Sequence, residues 1–123
     1  MAQKRQLEKE WQTFLSKAYS PCEIEVKTPV GNIDILTPTK LIEIKQSKQW
    51  KHALGQLLSY SEFYPSHQKY LYLFGDLDVK QLGEAYRMCK LHRIILTISF
   101  YDAPESHIVV RGFKIALENY SEN

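Results

Sequence analysis

Asp34, Glu43 and Lys45 are the residues of this sequence whose types and spacing best suit chemistry on a phosphate. Glu43 and Lys45 are two residues apart, so on a β-strand their side chains point to the same face. A hairpin between their segment and that of Asp34 would place the two carboxylates side by side. Two carboxylates and one backbone carbonyl, here that of Ile44, supply oxygen ligands for Mg²⁺ and leave positions for water and a phosphate oxygen.

Such a centre suits hydrolysis of a phosphodiester bond. The metal polarises the phosphate and lowers the pKa of a bound water. The Lys45 ammonium can position that water and offset charge in the transition state. The alternative is a solvated hairpin face, on which a cross-strand Glu/Lys pair adds only a few tenths of a kcal/mol. The spacing alone leaves both interpretations open.

Alternation along the two acid-bearing segments predicts which side chains pack. We expect Ile33 and Ile35 to be buried on one face of their strand, with Asp34 on the other. In the next strand, Ile42 and Ile44 are expected to pack on the face opposite to the second acid and the lysine. A pocket between the strands is therefore expected to present both acids.

The rest of the chain predicts helices and further strands. Apolar residues at three- and four-residue spacing predict amphipathic helices, and short apolar or alternating runs predict strands. Asp78, with Gln81 three residues on, is a capping-box pattern for the last helix, in which Val79 is expected to face inward. The predicted helices cover 4–19, 49–63 and 79–90, the strands cover 23–28, 32–37, 40–46, 69–74 and 93–100, an edge strand or hairpin is expected within 107–117, and Asn119 to Asn123 are expected to fray.

The order of these elements predicts a single α/β domain over 1–123. Strands joined by tight turns favour an antiparallel meander, and strands separated by helices favour parallel pairing. We therefore expect a mixed central sheet flanked by helices, in the order helix, three-strand meander, helix, strand, helix, strand. A chain of 123 residues without a Pro/Gly/Ser-rich linker suits one core.

Composition restricts the class of protein only loosely. The chain is 44% hydrophobic and 24% charged, which is typical of a globular protein. Its net charge of +2 permits a polyanionic partner without requiring one. Residues 40–52 are more basic, with four lysines and one acid.

Cysteine usage and apolar runs bear on location. Cys22 and Cys89 belong to no CxxC or Cys/His cluster, so we expect two reduced thiols. The first residues contain no apolar signal-type run, and no stretch approaches the length of a membrane span. We expect a cytoplasmic location, or a nuclear one if the source is eukaryotic or viral, and no membrane partner.

The segments 31–34 and 41–45 together resemble the core motif of the PD-(D/E)XK nuclease superfamily, the restriction-endonuclease-like fold. They read Gly-Asn-Ile-Asp and Leu-Ile-Glu-Ile-Lys. Ile33 stands where the pattern has Pro, at a position where that pattern is loose. The resemblance extends over residues 4–100 and implies hydrolysis of DNA with Mg²⁺, or Mn²⁺, held by Asp34, Glu43 and the Ile44 carbonyl, with Lys45 as a catalytic residue.

The segment 56–60 resembles the QxxxY element of one branch of this superfamily, the exonuclease domains fused to helicases. Gln56 and Tyr60 are one helical turn apart, and His52 lies one turn before Gln56. The resemblance implies that Gln56 acts in the active site and that His52 and Tyr60 contact nucleic acid. The alternatives are a core position for Tyr60 and an ordinary surface position for His52.

An acid on the first helix completes the expected site. The first helix also resembles that of the junction resolvases of this superfamily, in which a glutamate precedes hydrophobic residues by three and by seven positions. Glu8 fits this spacing with Trp11 and Leu15. Glu10 is the alternative. The resemblance implies a catalytic role for the acid.

The expected partner is nucleic acid, and DNA is favoured over RNA. Lys48 and Lys51 are expected to meet phosphates through their charge. A domain of this size has little room for sequence recognition, so a homodimer or a larger partner protein is expected. The alternative function is a non-catalytic nucleic-acid-binding or assembly module on the same fold.

Overall fold

Five strands form one sheet in the structure, a computed structural model that describes residues 3–99. The segments expected at 107–117 and 119–123 lie outside the described residues. In chain order the elements are α1 (Gln3–Ala18), β1 (Glu23–Thr28), β2 (Gly31–Leu36), β3 (Lys40–Gln46), a 3₁₀ turn (Ser47–Gln49), α2 (Trp50–Ser61), β4 (Gln68–Phe74), α3 (Val79–Leu91) and β5 (Ile94–Ser99).

The sheet has the order β1-β2-β3-β4-β5 and mixed strand directions. β1, β2 and β3 pair antiparallel because short turns join them. β3, β4 and β5 pair parallel because helices connect them. The predicted α/β class and the meander followed by parallel pairing are confirmed.

Two apolar cores lie on opposite sides of this sheet. α2 and α3 pack on the same face, as right-handed crossovers between successive parallel strands require. The α2/α3 core includes Ile33, Leu36, Leu41, Trp50, Leu57, Leu71, Leu73, Ala85 and Cys89, and the α1 core contains Trp11, Leu15, Ile35, Ile42, Ile44, Tyr72 and Phe74.

β2 departs from simple alternation. Ile33 packs in the α2/α3 core and Ile35 packs in the α1 core, so the expectation that both lie on one face is wrong. The register of β1 with β2 skips the pair Glu25–Asp34, and Glu25 has a φ of 51°. The alternation of β2 is therefore interrupted at Asp34. In β3, by contrast, Ile42 and Ile44 share the α1 core as expected.

The last described helix shows one confirmed signal and one error. The Asp78 carboxylate accepts a hydrogen bond from the Gln81 backbone N–H at 2.8 Å, which caps α3 as predicted. Val79, however, is 85% exposed, because the packed face of α3 begins one turn later at Leu82. Cys22 and Cys89 are free thiols, as expected. None of the helices within residues 3–99 has the length and apolar character needed to cross a membrane.

Candidate active site

The candidate site lies where β2 and β3 separate. Their register consists of Ile35–Ile42 and Leu36–Leu41 and stops before Asp34 and Glu43. Beyond that point the Asp34 side chain replaces the strand pairing, since its Oδ2 accepts a hydrogen bond from the Ile44 backbone N–H at 2.8 Å. The local opening of the sheet thus admits the carboxylate between the two strands.

Asp34 and Glu43 meet in this opening as a carboxyl pair. A hydrogen bond joins the two side chains, and Glu43 is only 2% exposed. Its Oε1 is buried without a hydrogen-bond partner among the described residues. The prediction that the two acids lie side by side agrees with this geometry, and the alternative of a solvated face does not.

Burial controls the ionisation of this pair. It raises the pKa of Asp34 to about 6, although the Ile44 N–H, the Glu43 hydrogen bond and the Lys45 charge oppose the shift. Burial and the Asp34 charge raise the pKa of Glu43 well above its ordinary value. Two adjacent carboxyls in a poorly solvated site disfavour ionisation of both at once, and this raises the pKa of Glu43 further.

Lys45 connects the pair to α1. Its charge lowers the pKa of both acids, so it lies close to them. Its Nζ is 3.8 Å from Glu8 Oε1. Glu8 also acts electrostatically on Glu43, whereas Glu10 is exposed on the same helix. Of the two acids considered on α1, Glu8 is therefore the one that the fold brings to the site.

Two residues of α2 show where this helix stands relative to the site. Gln56 is half-buried, and its Oε1 is buried without a partner among residues 6–99. Tyr60 is 2% exposed, and burial followed by the charges of Glu43 and Asp34 raises its pKa to about 12. Its hydroxyl lies 2.7 Å from the position that a β-carbon on Gly31 would take.

The expectation that Tyr60 contacts nucleic acid is therefore corrected: the ring packs in the α2/α3 core, which is the alternative that the sequence left open. By contrast, Lys48 in the 3₁₀ turn and Lys51 and His52 at the beginning of α2 are exposed. Lys51 Nζ lies 5.7 Å from the centroid of the Trp50 ring. These three side chains are available at the surface, and the structure does not insert them among the acids.

Gln12 and Glu25 lie next to the site, although the sequence analysis did not identify them. The Gln12 amide donates to Glu25 Oε2 at 2.7 Å and to the Asp34 backbone carbonyl at 2.9 Å. A sequence signal for Gln12 did exist, since it follows Glu8 by one helical turn and borders the apolar stripe of α1. No sequence signal pointed to Glu25, because its positive φ and its contact with Gln12 depend on segments distant in sequence.

The donor set is suited to one hard divalent cation. Carboxylate oxygens are the ligands that Mg²⁺ prefers, and the unpaired buried Glu43 Oε1 is an acceptor that a cation would satisfy. The Ile44 peptide lies beside the Asp34 carboxylate through its N–H. Within residues 6–99 no three or more His, Cys, Asp or Glu side chains are arranged as a metal site, so a metal here would depend on two acids and a backbone carbonyl.

Comparisons with known proteins place the chain beside viral relatives. It is 44% identical over 93 residues to "Putative KilA-N domain-containing protein L33" of Acanthamoeba polyphaga mimivirus, which is 76% of this chain and 37% of that protein. Similarly named proteins of the same virus are R878, 44% identical over 75 residues, and L32, 49% identical over 67 residues.

The shared segment is a minor part of each relative. It covers 61% of this chain and 21% of R878, and 54% of this chain and 18% of L32. The chain thus spans about a third or less of the length of the curated relatives that it matches. No family model matches it. No solved structure matches it.

Proposed function

We propose that this chain is a divalent-metal-dependent nuclease domain of the restriction-endonuclease-like type, acting on DNA. The observation that carries the proposal is the hydrogen-bonded carboxyl pair of half-buried Asp34 and buried Glu43, with Lys45 beside it. Two adjacent acids, one of them buried with an unpaired oxygen, destabilise the fold unless something compensates their charge. A bound divalent cation would provide that compensation and would allow the two acids to take part in phosphodiester hydrolysis.

Asp34, Glu43 and the Ile44 carbonyl would hold Mg²⁺ or Mn²⁺ in this proposal. The metal, when bound, supplies Lewis acidity and a water of lowered pKa. Lys45 orients the attacking water and offsets negative charge on the phosphate. Glu8, 3.8 Å from the Lys45 ammonium, restricts where that ammonium points.

Residues of α2 and of the 3₁₀ turn before it have separate roles in the proposed reaction. The buried and unpaired Oε1 of Gln56 suits acceptance of a hydrogen bond from water or from a substrate group. Lys48, Lys51 and His52 are exposed and suit contacts with backbone phosphates. Tyr60 supports the site from the α2/α3 core by packing against Gly31 and does not contact substrate.

The relatives support a nucleic-acid partner. KilA-N names a type of DNA-binding domain, and three mimivirus proteins carry that name. The same names favour a second candidate function, a DNA-binding module without catalysis. The matched segment is at most 37% of a relative, so the name also covers the larger part of each relative that lies outside that segment. The presence of Asp34, Glu43 and Lys45 together favours catalysis.

Plasmid nicking tests the proposal directly. Supercoiled DNA is incubated with wild type, Asp34→Asn and Lys45→Ala in Mg²⁺, in Mn²⁺ and in EDTA. We expect nicking only by wild type and only with metal, and Glu10→Gln should retain it because Glu10 is exposed away from the acids. Equal nicking by wild type and both site variants would eliminate the proposed site.

Binding measured on the same proteins separates the two candidate functions. A mobility-shift assay in Ca²⁺ and in EDTA reports DNA binding without turnover. Binding by wild type with no nicking in any metal identifies the non-catalytic module. RNA of the same sequence is included as a substrate, and preferential cleavage of RNA would show that DNA is not the substrate.

A further inference from the structure

Asp34 lies at the least regular position of β2. Its expected partner in β1, Glu25, is absent from the register, and pairing with β3 ends one residue before it. Glu25 itself has a positive φ of 51°, which a residue other than glycine seldom adopts. The backbone that carries Asp34 therefore requires contacts other than the sheet ladder to define its position.

Gln12 supplies those contacts from α1. Its side chain is 7% exposed, and its amide nitrogen donates to the Asp34 carbonyl and to the Glu25 carboxylate. A glutamine amide has two N–H donors, so both are used. The Asp34 backbone is thus tied to α1, while its carboxylate is tied to β3 through the Ile44 N–H.

We propose that Gln12 is a positioning residue that holds Asp34 in the geometry required for metal binding. This inference rests on the proposed function, since it assigns a support to the same site. Outer residues that orient metal ligands commonly change metal affinity about 10- to 100-fold when they are replaced. A residue that merely fills the core would instead lower the stability of the whole domain.

The Ile44 amide provides a readout that needs no metal. Because this N–H donates to Asp34 Oδ2, its hydrogen exchange reports how well the carboxylate is held. In Gln12→Leu we expect Ile44 protection to fall by about tenfold while the amides of β4 keep wild-type protection. Gln12→Glu is the second variant, because it keeps the shape and loses the donor.

Calorimetric titration with Mn²⁺ gives the second readout. We expect Gln12→Leu and Gln12→Glu to bind Mn²⁺ about 10- to 100-fold more weakly than wild type. Glu25→Gln should stay within about threefold, because its new carbonyl can still accept from Gln12. Gln6→Leu is the matched control on the exposed face of α1 and should bind as wild type does.

The double exchange of Gln12→Glu with Glu25→Gln isolates the contact that matters. It restores an amide-to-carboxylate hydrogen bond between the two positions, yet it leaves no donor for the Asp34 carbonyl. We therefore expect the double variant to bind Mn²⁺ as weakly as Gln12→Glu. Recovery to wild-type affinity would show that the contact between positions 12 and 25 is the important one and would overturn the inference.

The outcomes distinguish this inference from the proposed function. Wild-type Mn²⁺ affinity or unchanged Ile44 protection in the Gln12 variants overturns the inference and leaves the nuclease proposal intact. A uniform loss of protection across β4 as well as at Ile44 also overturns it. Absence of Mn²⁺ binding by wild type overturns the proposed function, and Ile44 protection then decides alone whether Gln12 positions Asp34.

Discussion

The two halves of the sheet are joined in very different ways. β3 and β4 pair along the whole of both strands, and β4 pairs with β5 over six residues. The hairpin of β1 and β2 is joined to β3 by two residue pairs only. The parallel half is therefore a continuous scaffold, and the hairpin is attached to its edge.

The residues of the candidate site are divided between these two halves of the sheet. Glu43 and Lys45 lie on the scaffold, whereas Asp34 lies on the hairpin at the point where pairing stops. A metal held between them would bridge the two halves. Side-chain contacts from both helix layers, Gln12 on α1 and Tyr60 on α2, compensate for the missing ladder at this junction.

The largest expected effect is on the stability of the scaffold. Leu73 is fully buried in β4, so Leu73→Ala should lower the free energy of unfolding by about 2–5 kcal/mol through a cavity. Ile24→Ala on the hairpin should change it by about 0.5 kcal/mol or less, because Ile24 is exposed. Urea denaturation measures both, and equal losses would remove the distinction between the halves.

The stability of the metal-free protein should depend on pH through the Asp34 carboxyl, which lies where the hairpin meets β3. Burial raises the pKa of Asp34 from 3.8 to about 6, so the folded state disfavours the ionised carboxylate. Stability contributed by this group is therefore present at low pH and is lost as pH rises through about 6.

Comparison with Asp34→Asn isolates this effect, since other groups also titrate. We expect wild type to lose roughly 2 kcal/mol more than the variant between about pH 4 and pH 7 in EDTA, because the loss falls between the unfolded and folded pKa values of Asp34. Mg²⁺ should reverse that loss in wild type alone. Parallel stability curves for the two proteins would show that the buried acid pair is not strained.

Gly31 tests how α2 holds the hairpin. Gly31→Ala places a β-carbon 2.7 Å from the Tyr60 hydroxyl at a φ of 137°, so we expect a loss of about 2 kcal/mol. Adding Tyr60→Phe should recover part of it by removing the clash. Gly55→Ala is the matched control, because its β-carbon meets nothing within 4 Å and should stabilise α2 by about 1 kcal/mol. Thermal denaturation compares them.

The smallest effect concerns the surface beside the scaffold. Lys51→Ala should reduce the slope of log affinity for DNA against log salt by about one, as the loss of one phosphate contact does. Lys80→Ala on α3 is the control, since this exposed lysine lies on another helix. Equal slopes for the two variants in a fluorescence titration would mean that DNA does not follow the start of α2.

Regular segments were predictable from local pattern. The alternation of Ile42 and Ile44 with Glu43 follows from strand geometry alone, and the structure reproduces it. The cap at Asp78 was equally local, since a side chain and a backbone N–H three residues away decide it. Both depend on neighbours in sequence, which a single chain reveals.

The irregular positions were not predictable for a physical reason. The split of Ile33 and Ile35 between two cores arises from the interruption at Asp34, where Gln12 on α1 and the conformation of Glu25 determine the backbone. The sequence left open whether Tyr60 faces the core or nucleic acid, and its packing in the α2/α3 core beside Gly31 decides this. Contacts between distant segments carry that information.

The ion pair from Glu8 to Lys45 has a practical consequence for fragments of this domain. A polypeptide beginning after Ala18 would keep every residue of the acid motif and the whole sheet, yet it would lack the carboxylate that restrains the ammonium and the amide that anchors Asp34. Such a shortened protein would retain the sequence signature without the assembled centre. A motif search restricted to residues 31–45 therefore does not include Glu8 and Gln12, the two residues of α1 that contact Lys45 and Asp34.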